Sequence, residues 1–291
     1  MVYIRKVQRI GSSSLFITIP KAWCEKYGIK EGENVELIES TSGDLIILPK
    51  AQGSGESVFV IDLSKVNLIY VDKLISYAYI NGYSEIKIVY SRKQDLESIK
   101  DMVETKFMGL ILTSEKDNEA VFSFALDTNR VNFYELFNRI DKLTSLMLDS
   151  VDDEKSVLRL DAEVDRIYFL LVRMLRTGLT NSEVAKRLGL DPVRFLDFRL
   201  VLHFIESFGD EITAVAGKIT PKDVQPIKSL KEAVIKAFLG YSEIKADKIE
   251  KLTDEAYELV RKANKEVSSS LSRMIEMAKD IADLSETLYL K

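Results

Sequence analysis

The stretch RKVQRIGSSSLFITIPKAW (residues 5–23) joins a basic segment, a turn of small residues and a short apolar strand. Pro20 ends the β-branched run and suits the first turn of a helix, and Gly28 suits the end of that helix. Residues 30–49 add a glycine turn, a strand, a Ser-Gly-Asp hairpin turn and a last strand. Four short strands around one helical turn make a small core for 50 residues, so this segment is expected to pair with a second copy of itself.

The positive charge of the chain is concentrated at its start. Residues 1–30 carry six basic side chains against one carboxylate, although the net charge of all 291 residues is −5. A basic head on an acidic body indicates that only the head meets a polyanion. Arginine and lysine could neutralise phosphates there, and serine hydroxyls could add contacts. A solvated basic hairpin without a partner has the same charge pattern, so charge alone leaves both interpretations open.

Residues 5–49 resemble the swapped-hairpin DNA-binding domain of the AbrB/SpoVT/MazE type. The matching features are the basic strand, the small-residue turn, ITIPKAW (17–23), GIKEGENVEL (28–37) and the closing hairpin. The resemblance implies an all-β swapped-hairpin barrel made of two interleaved chains, with the basic loops of both copies on one face. The resemblance also implies which residues contact double-stranded DNA, namely Arg5, Lys6, Arg9, Ser13 and Lys21. Trp23 is expected in the core or the interface rather than stacked on a base, and Cys24 is expected to be a small apolar filler.

Residues 58–126 alternate between strand and helix patterns after a credible linker at 52–57. The order βαβαββ predicts a small α/β unit. This segment has no Gly-rich phosphate loop and no catalytic cluster. It is therefore interpreted as a spacer or as a platform for a partner.

From about Val131 onwards, apolar residues recur at a spacing of three and four, which is typical of helices. Three long helices, a break at 220–226 and three further helices predict an all-α body of tandem three-helix bundles. The segment LTNSEVAKRLGLDPVRF (179–195) resembles half of a helix-turn-helix, but a short helix inserted between bundle helices is the preferred interpretation. The chain is thus expected to be multidomain, with domains at 1–50, 58–126, 130–219 and 226–291.

Carboxylates four residues apart recur in the helical half and share a helix face, where like charges repel. A solvated acidic face and an oxygen-ligated metal ion both explain this spacing. His203 shares a face with Glu206 and Asp210, so it is either a core residue or a ligand.

The segments LDAEVDRIYFLLVR, HFIESFGDEITAVA and MIEMAKDIADLSE resemble helices of the PhoU family. In that family, two three-helix bundles carry acidic motifs on their inward faces, and some members bind iron, zinc or magnesium there. The departures are Glu211 and Ile281, which stand where the family usually has a histidine. The resemblance implies a metal cofactor held by Asp161, Asp165, Glu206, Asp210, Glu250, Asp254, Glu276 and Asp280.

Several classes of protein are disfavoured by what the sequence lacks. The single cysteine, Cys24, excludes an intrachain disulfide framework and fits a reducing cytosol. No apolar run approaches 18 residues and no signal-peptide pattern is present, so membrane insertion is not expected. The absence of a Ser-His-Asp set, a Walker loop and a Cys-His pair argues against an enzyme.

Together these observations predict a cytoplasmic DNA-binding transcriptional regulator that forms a homodimer or a higher oligomer through its N-terminal domain. The PhoU resemblance implies a role in phosphate homeostasis, with a phosphate transporter or a signalling protein as a further partner. The alternative is a scaffold of the antitoxin kind, in which the head serves oligomerisation and the helices bind a protein.

Overall fold

The computed structural model of the protein describes residues 3–11, 14–39, 43, 45–49, 57–241 and 243–285. Contacts within the chain divide it into two units, residues 1–55 and 56–291. The proposed division of the second unit into three domains stays a prediction.

The described part of the first unit consists of short strands and one helix. Pro20 precedes the helix and Gly28 ends it in a left-handed conformation with φ +67°, which glycine adopts without strain. The first two strands form an antiparallel hairpin, and so do the last two. The elements are β1 (Gln8–Ile10), β2 (Ser14–Phe16), α1 (Lys21–Tyr27), β3 (Val35–Glu39) and β4 (Leu45–Pro49).

The first unit leaves many of its described apolar side chains exposed in a single copy. None of its described side chains is buried, and Ile4 and Leu15 are 88% and 67% exposed. Val7, Leu37 and Leu45 are exposed as well. Apolar side chains exposed at this density in one small unit are typical of a surface that another chain covers.

The second unit begins with the four-stranded sheet and two helices that the sequence predicts over 58–126. The sheet order is β5-β6-β8-β7, in which β5 and β6 are parallel and the other neighbours are antiparallel. Alternate residues such as Ile86 and Ile88 are buried in a core that also contains Ile75 and Leu96 of the two helices. The elements are β5 (Val58–Asp62), α2 (Val71–Ile80), β6 (Glu85–Val89), α3 (Lys93–Lys106), β7 (Leu110–Lys116) and β8 (Glu119–Phe124).

The remainder of the second unit is helical, as predicted. The helices α4, α5 and α7 pack on one another, and so do α8, α9 and α10. Further contacts of α7 with α10 and of α4 with α8 join the two sets, whose buried side chains form one continuous apolar core. The helices are α4 (Phe133–Asp149), α5 (Glu154–Thr180), α6 (Ser182–Leu188), α7 (Pro192–Val215), α8 (Pro221–Phe238), α9 (Ala246–Lys262) and α10 (Lys265–Asp283).

The break predicted at 220–226 is shorter than expected. Helix α8 begins at Pro221, and Pro226 lies inside it. Pro221 suits the first helical position, and the Asp223 carboxylate accepts bonds from the backbone N–H and the hydroxyl of Thr220, at 3.1 and 2.6 Å. Because this cap fixes the start of the helix upstream, Pro226 falls in the second turn and removes only one backbone hydrogen bond.

A buried arginine of α5 bonds to the α/β unit. The Arg173 guanidinium donates to the backbone oxygens of Tyr79 and Tyr83, at 2.5 and 3.0 Å, and lies 3.8 Å from the centre of the Phe124 ring. Burial lowers the pKa of Arg173 to about 10, so the group stays charged at neutral pH. The Tyr79 carbonyl, at the C-terminal end of α2, also accepts from Gly82 N–H at 3.1 Å, so Arg173 adds a second donor to it.

A buried lysine joins the two helical sets. The side chain of Lys231 in α8 is 1% exposed, and its Nζ lies 2.7 Å from an Asp141 carboxylate oxygen and 3.0 Å from the Ser145 hydroxyl, both in α4. The same nitrogen donates to the Asp141 backbone oxygen. The sequence analysis did not identify this pair. The available signal was the position of Lys231, which lies on the apolar stripe of α8 between Ile227 and Val234.

None of the described helices combines the length and apolar character needed to span a bilayer.

Candidate functional sites

The basic side chains predicted to contact DNA are exposed wherever the structure describes them. Arg5 and Lys6 precede β1, and Arg9 lies within β1 opposite Leu15 of β2. Lys21 begins α1 and lies 3.6 Å from the Glu25 carboxylate one turn later. Ser13 lies outside the described residues. These cations face solvent and are available to an anionic partner.

The first of the two predicted carboxylate sets is brought together between α5 and α7. Asp161 and Asp165 lie on α5, and Glu206 and Asp210 lie on α7. Burial and the neighbouring carboxylates raise the pKa of Asp161 to about 6 and that of Glu206 to about 7. The same two causes raise the pKa of Asp165. The four side chains, called here the α5–α7 acidic cluster, thus repel one another in a partly dehydrated space.

The surroundings of the α5–α7 acidic cluster compensate only part of its charge. Lys106 of α3 lowers the pKa of Asp165, but its Nζ is already bound to Asp72 at 2.9 Å. Gly209 lies beside Asp161, since a Cβ atom at that position would be in van der Waals contact with Asp161 Oδ1 at 3.4 Å. Glu211 forms an ion pair with Arg273 of α10.

His203 is not a core residue. Its side chain is 53% exposed, and its Nδ1 lies 3.7 Å from the Glu206 carboxylate one turn later. The core interpretation of His203 is therefore wrong, since its position on α7 faces solvent at the rim of the acidic cluster.

The second predicted set has a different environment. Glu250 and Asp254 of α9 and Glu276 and Asp280 of α10 are all exposed. The Glu276 carboxylate accepts bonds from the Tyr257 hydroxyl and, at 3.0 Å, from Lys279 Nζ, which lower its pKa. Glu276 is therefore occupied by partners from the protein itself.

The described residues contain no group of three or more His, Cys, Asp or Glu side chains placed closely enough to share a metal ion. The α5–α7 acidic cluster offers only carboxylate oxygens, which magnesium prefers, whereas zinc and iron sites usually include histidine or cysteine. A metal ion at the cluster, whether iron, zinc or magnesium, stays a prediction.

Replacing Glu206 with glutamine should make the protein less sensitive to pH. The folded-state pKa of Glu206, about 7, lies above the ordinary value of 4.5, so the folded state binds the extra proton between pH 4.5 and 7. Stability therefore falls as pH rises through that window. At pH 8, E206Q should raise the free energy of unfolding by on the order of 1 kcal/mol after solvent screening, with no gain at pH 4.5.

Urea unfolding at pH 4.5, 6 and 8 measures this effect. The matched control is D280N, which neutralises an exposed carboxylate of the second set and should change stability by less than about 0.5 kcal/mol. An E206Q chain with the same pH slope as the parent chain would contradict the prediction.

Comparison with known families supports the interpretation of the first unit. Residues 8–54 match the family described as antidote-toxin recognition MazE, bacterial antitoxin. The matched segment contains the four strands and the helix that are described in the first unit, and it agrees with the AbrB/SpoVT/MazE resemblance. Searches of curated proteins and of solved structures gave no match. The PhoU resemblance of the helical body therefore stays a prediction.

Proposed function

We propose that the protein is a DNA-binding regulator, not an enzyme, whose first unit contacts double-stranded DNA as a pair of interleaved copies. The observation that carries the proposal is the combination, in one MazE-like unit, of exposed cations with uncovered apolar side chains. The apolar side chains require a second copy, and pairing brings two sets of cations into one assembly. An acidic body attached to this head disfavours any other part of the chain as the DNA contact.

On DNA, the proposed roles differ between the side chains. Lys6 and Lys21 neutralise phosphates, and Ser13 adds a hydroxyl contact to the backbone. Arg5 and Arg9 are the side chains suited to a guanine edge, because a guanidinium can donate two parallel bonds to O6 and N7. The operator would then consist of two half-sites related by the symmetry of the paired heads.

The proposal is tested with the full chain. A genome-wide occupancy map identifies bound fragments, and fluorescence anisotropy then measures affinity for one of them at several salt concentrations. If six to ten phosphates are neutralised, affinity should fall by about 10³- to 10⁵-fold between 50 and 200 mM salt. The absence of a specific complex at low salt would exclude DNA-binding regulation.

A second candidate function is favoured by the description of the matched family, which names toxin recognition. In that case the head serves oligomerisation and the body binds a protein, as a scaffold or an antitoxin does. Such a chain should give no specific complex with DNA at low salt, so the same experiment separates the two functions.

The proposed role of the body is to sense or transmit a signal in phosphate homeostasis, in the cytoplasm and with a phosphate transporter or a signalling protein as partner. Its support is the sequence resemblance to PhoU and the half-buried carboxylates of the α5–α7 acidic cluster. Binding of DNA by the full chain should then change with phosphate or with magnesium, zinc or iron. Affinity that is constant across all of them would leave the body without this role.

A further inference from the structure

The outer strand of the sheet, β5, has one edge at which no described strand pairs. Strand β5 pairs with β6 on one side only among the described residues. The Ser57 carbonyl accepts from Ser84 N–H, and Leu63 N–H donates to Val89 O, both towards β6. Because the backbone N–H and C=O groups of successive residues point to opposite edges of a strand, those of Val58 and Val60 point away from β6. Two residues thus present backbone donors and acceptors to whatever lies beside the strand.

The opposite edge of the same sheet is protected. Strand β7 contains an irregularity between Leu112 and Ser114, and it ends in the charged residues Glu115 and Lys116. Natural sheets use such bulges and charges to prevent pairing with another chain. Strand β5 also ends in a charged residue, Asp62, but it has no bulge, and its residues 58–61 read Val-Phe-Val-Ile, without charge or proline. The contrast within one sheet indicates that pairing at β5 is not selected against.

The helix layer above β5 is also apolar at this edge. Tyr77 of α2 packs on Phe59 of β5, with ring centres 5.7 Å apart. Tyr77 and Tyr70 are nevertheless half exposed, as are Val58 and Val60 of the strand. Val58 and Val60 lie on the face of β5 opposite to Phe59, so exposed apolar or aromatic side chains occur on both faces of this strand.

The geometry points to β5 of a second copy of this chain as the occupant, paired antiparallel so that two four-stranded sheets become one of eight strands. This choice of occupant rests on the proposed function, because pairing of two heads places two copies of β5 in one molecule. Only eight residues, 50–57, separate β4 from β5. A short tether of this kind gives an effective concentration of roughly millimolar, at which a weak edge contact forms.

The proposed register sets Val58 of one copy opposite Val60 of the other. This arrangement uses both outward-facing residues of each strand, and residues directly opposite each other exchange their N–H and C=O bonds. The Asp62 carbonyl is not needed, since it already accepts from Lys65 N–H at 3.0 Å.

Cross-linking of the full chain tests the inference. In a C24S background, V58C introduces a single thiol, and a short bis-maleimide should join two copies. Adding V60K should lower the joined fraction about tenfold, because like charges close together across two strands oppose pairing. The matched control is I111K, since Ile111 is also an exposed apolar residue of an edge strand, 50% against 57% exposed for Val60. It should leave the joined fraction unchanged.

Two further measurements keep the outcomes distinct. V60E repeats the test with the opposite charge, and thermal melts show whether each variant is folded. K251C, on an exposed position of α9, reports random encounters. If light scattering gives a dimer but V58C is joined no more than K251C, edge pairing is overturned while head pairing stands. A chain that is monomeric at every concentration would overturn both.

Discussion

Full-length chains that carry R5A and R9A together should bind DNA about 100- to 1,000-fold more weakly than the parent chain near 100 mM salt. Both side chains are exposed in the first unit, and each is present twice in a paired head. The double variant therefore removes about four phosphate or base contacts from one complex. Since each phosphate contact contributes a slope of about −0.9 to the plot of log affinity against log salt, the slope should become shallower by up to about 4.

The control for this experiment is a pair of equally exposed cations in the acidic body. K245A and K251A, made together, remove the same charge from α9 and the residue before it. Their salt slope should equal that of the parent chain. Equal slopes for the R5A/R9A variant and the parent would show that the head does not contact DNA through these arginines.

Replacing Asp141 with alanine should lower the free energy of unfolding by about 3–5 kcal/mol. The carboxylate is the anionic partner of Lys231, whose side chain is 1% exposed. Burial lowers the pKa of Lys231, and the Asp141 carboxylate opposes that shift. Without it, the ammonium group must stay charged in an apolar core or lose its proton, and either costs stability.

Replacing the other partner of the pair, Lys231, should change stability much less, and this difference makes the test specific. K231M removes the buried charge and keeps an unbranched apolar chain, so stability should change by less than about 1.5 kcal/mol or rise. E255A breaks an exposed pair with Lys251, at 4.0 Å, and should cost less than about 0.5 kcal/mol. Guanidinium unfolding followed by circular dichroism measures all three. A D141A chain as stable as K231M would contradict the account.

The order of elements was predictable from sequence because its signals are local. Alternation in residues such as Glu85–Val89 and Pro221 at a helix start act over a few positions. The exact start of α8 was not predictable from sequence. A proline disrupts the centre of a helix strongly but its second turn only weakly, and Pro226 lies in the second turn. The packing of the two helical sets into one core depends on long-range contacts that no local pattern contains.

The candidate sites divide in the same way. Resemblance identified the carboxylates of the α5–α7 acidic cluster, but their raised pKa values require burial between two helices distant in sequence. The solvent-facing position of His203 follows from the rotation of α7, which a run of apolar neighbours concealed. The sequence also could not predict the unpaired edge of β5, because a strand pattern does not indicate which strand lies outermost in a sheet.

Helix α5 is a continuous helix of 27 residues that carries Asp161 and Asp165 in its first half and Arg173 about two turns beyond Asp165. Asp161 and Arg173 are about 18 Å apart along its axis. Arg173 grips the end of α2, the helix that lies over β5. Because α5 is continuous, the same helix that carries two carboxylates of the acidic cluster is also bonded to the α/β unit through Arg173.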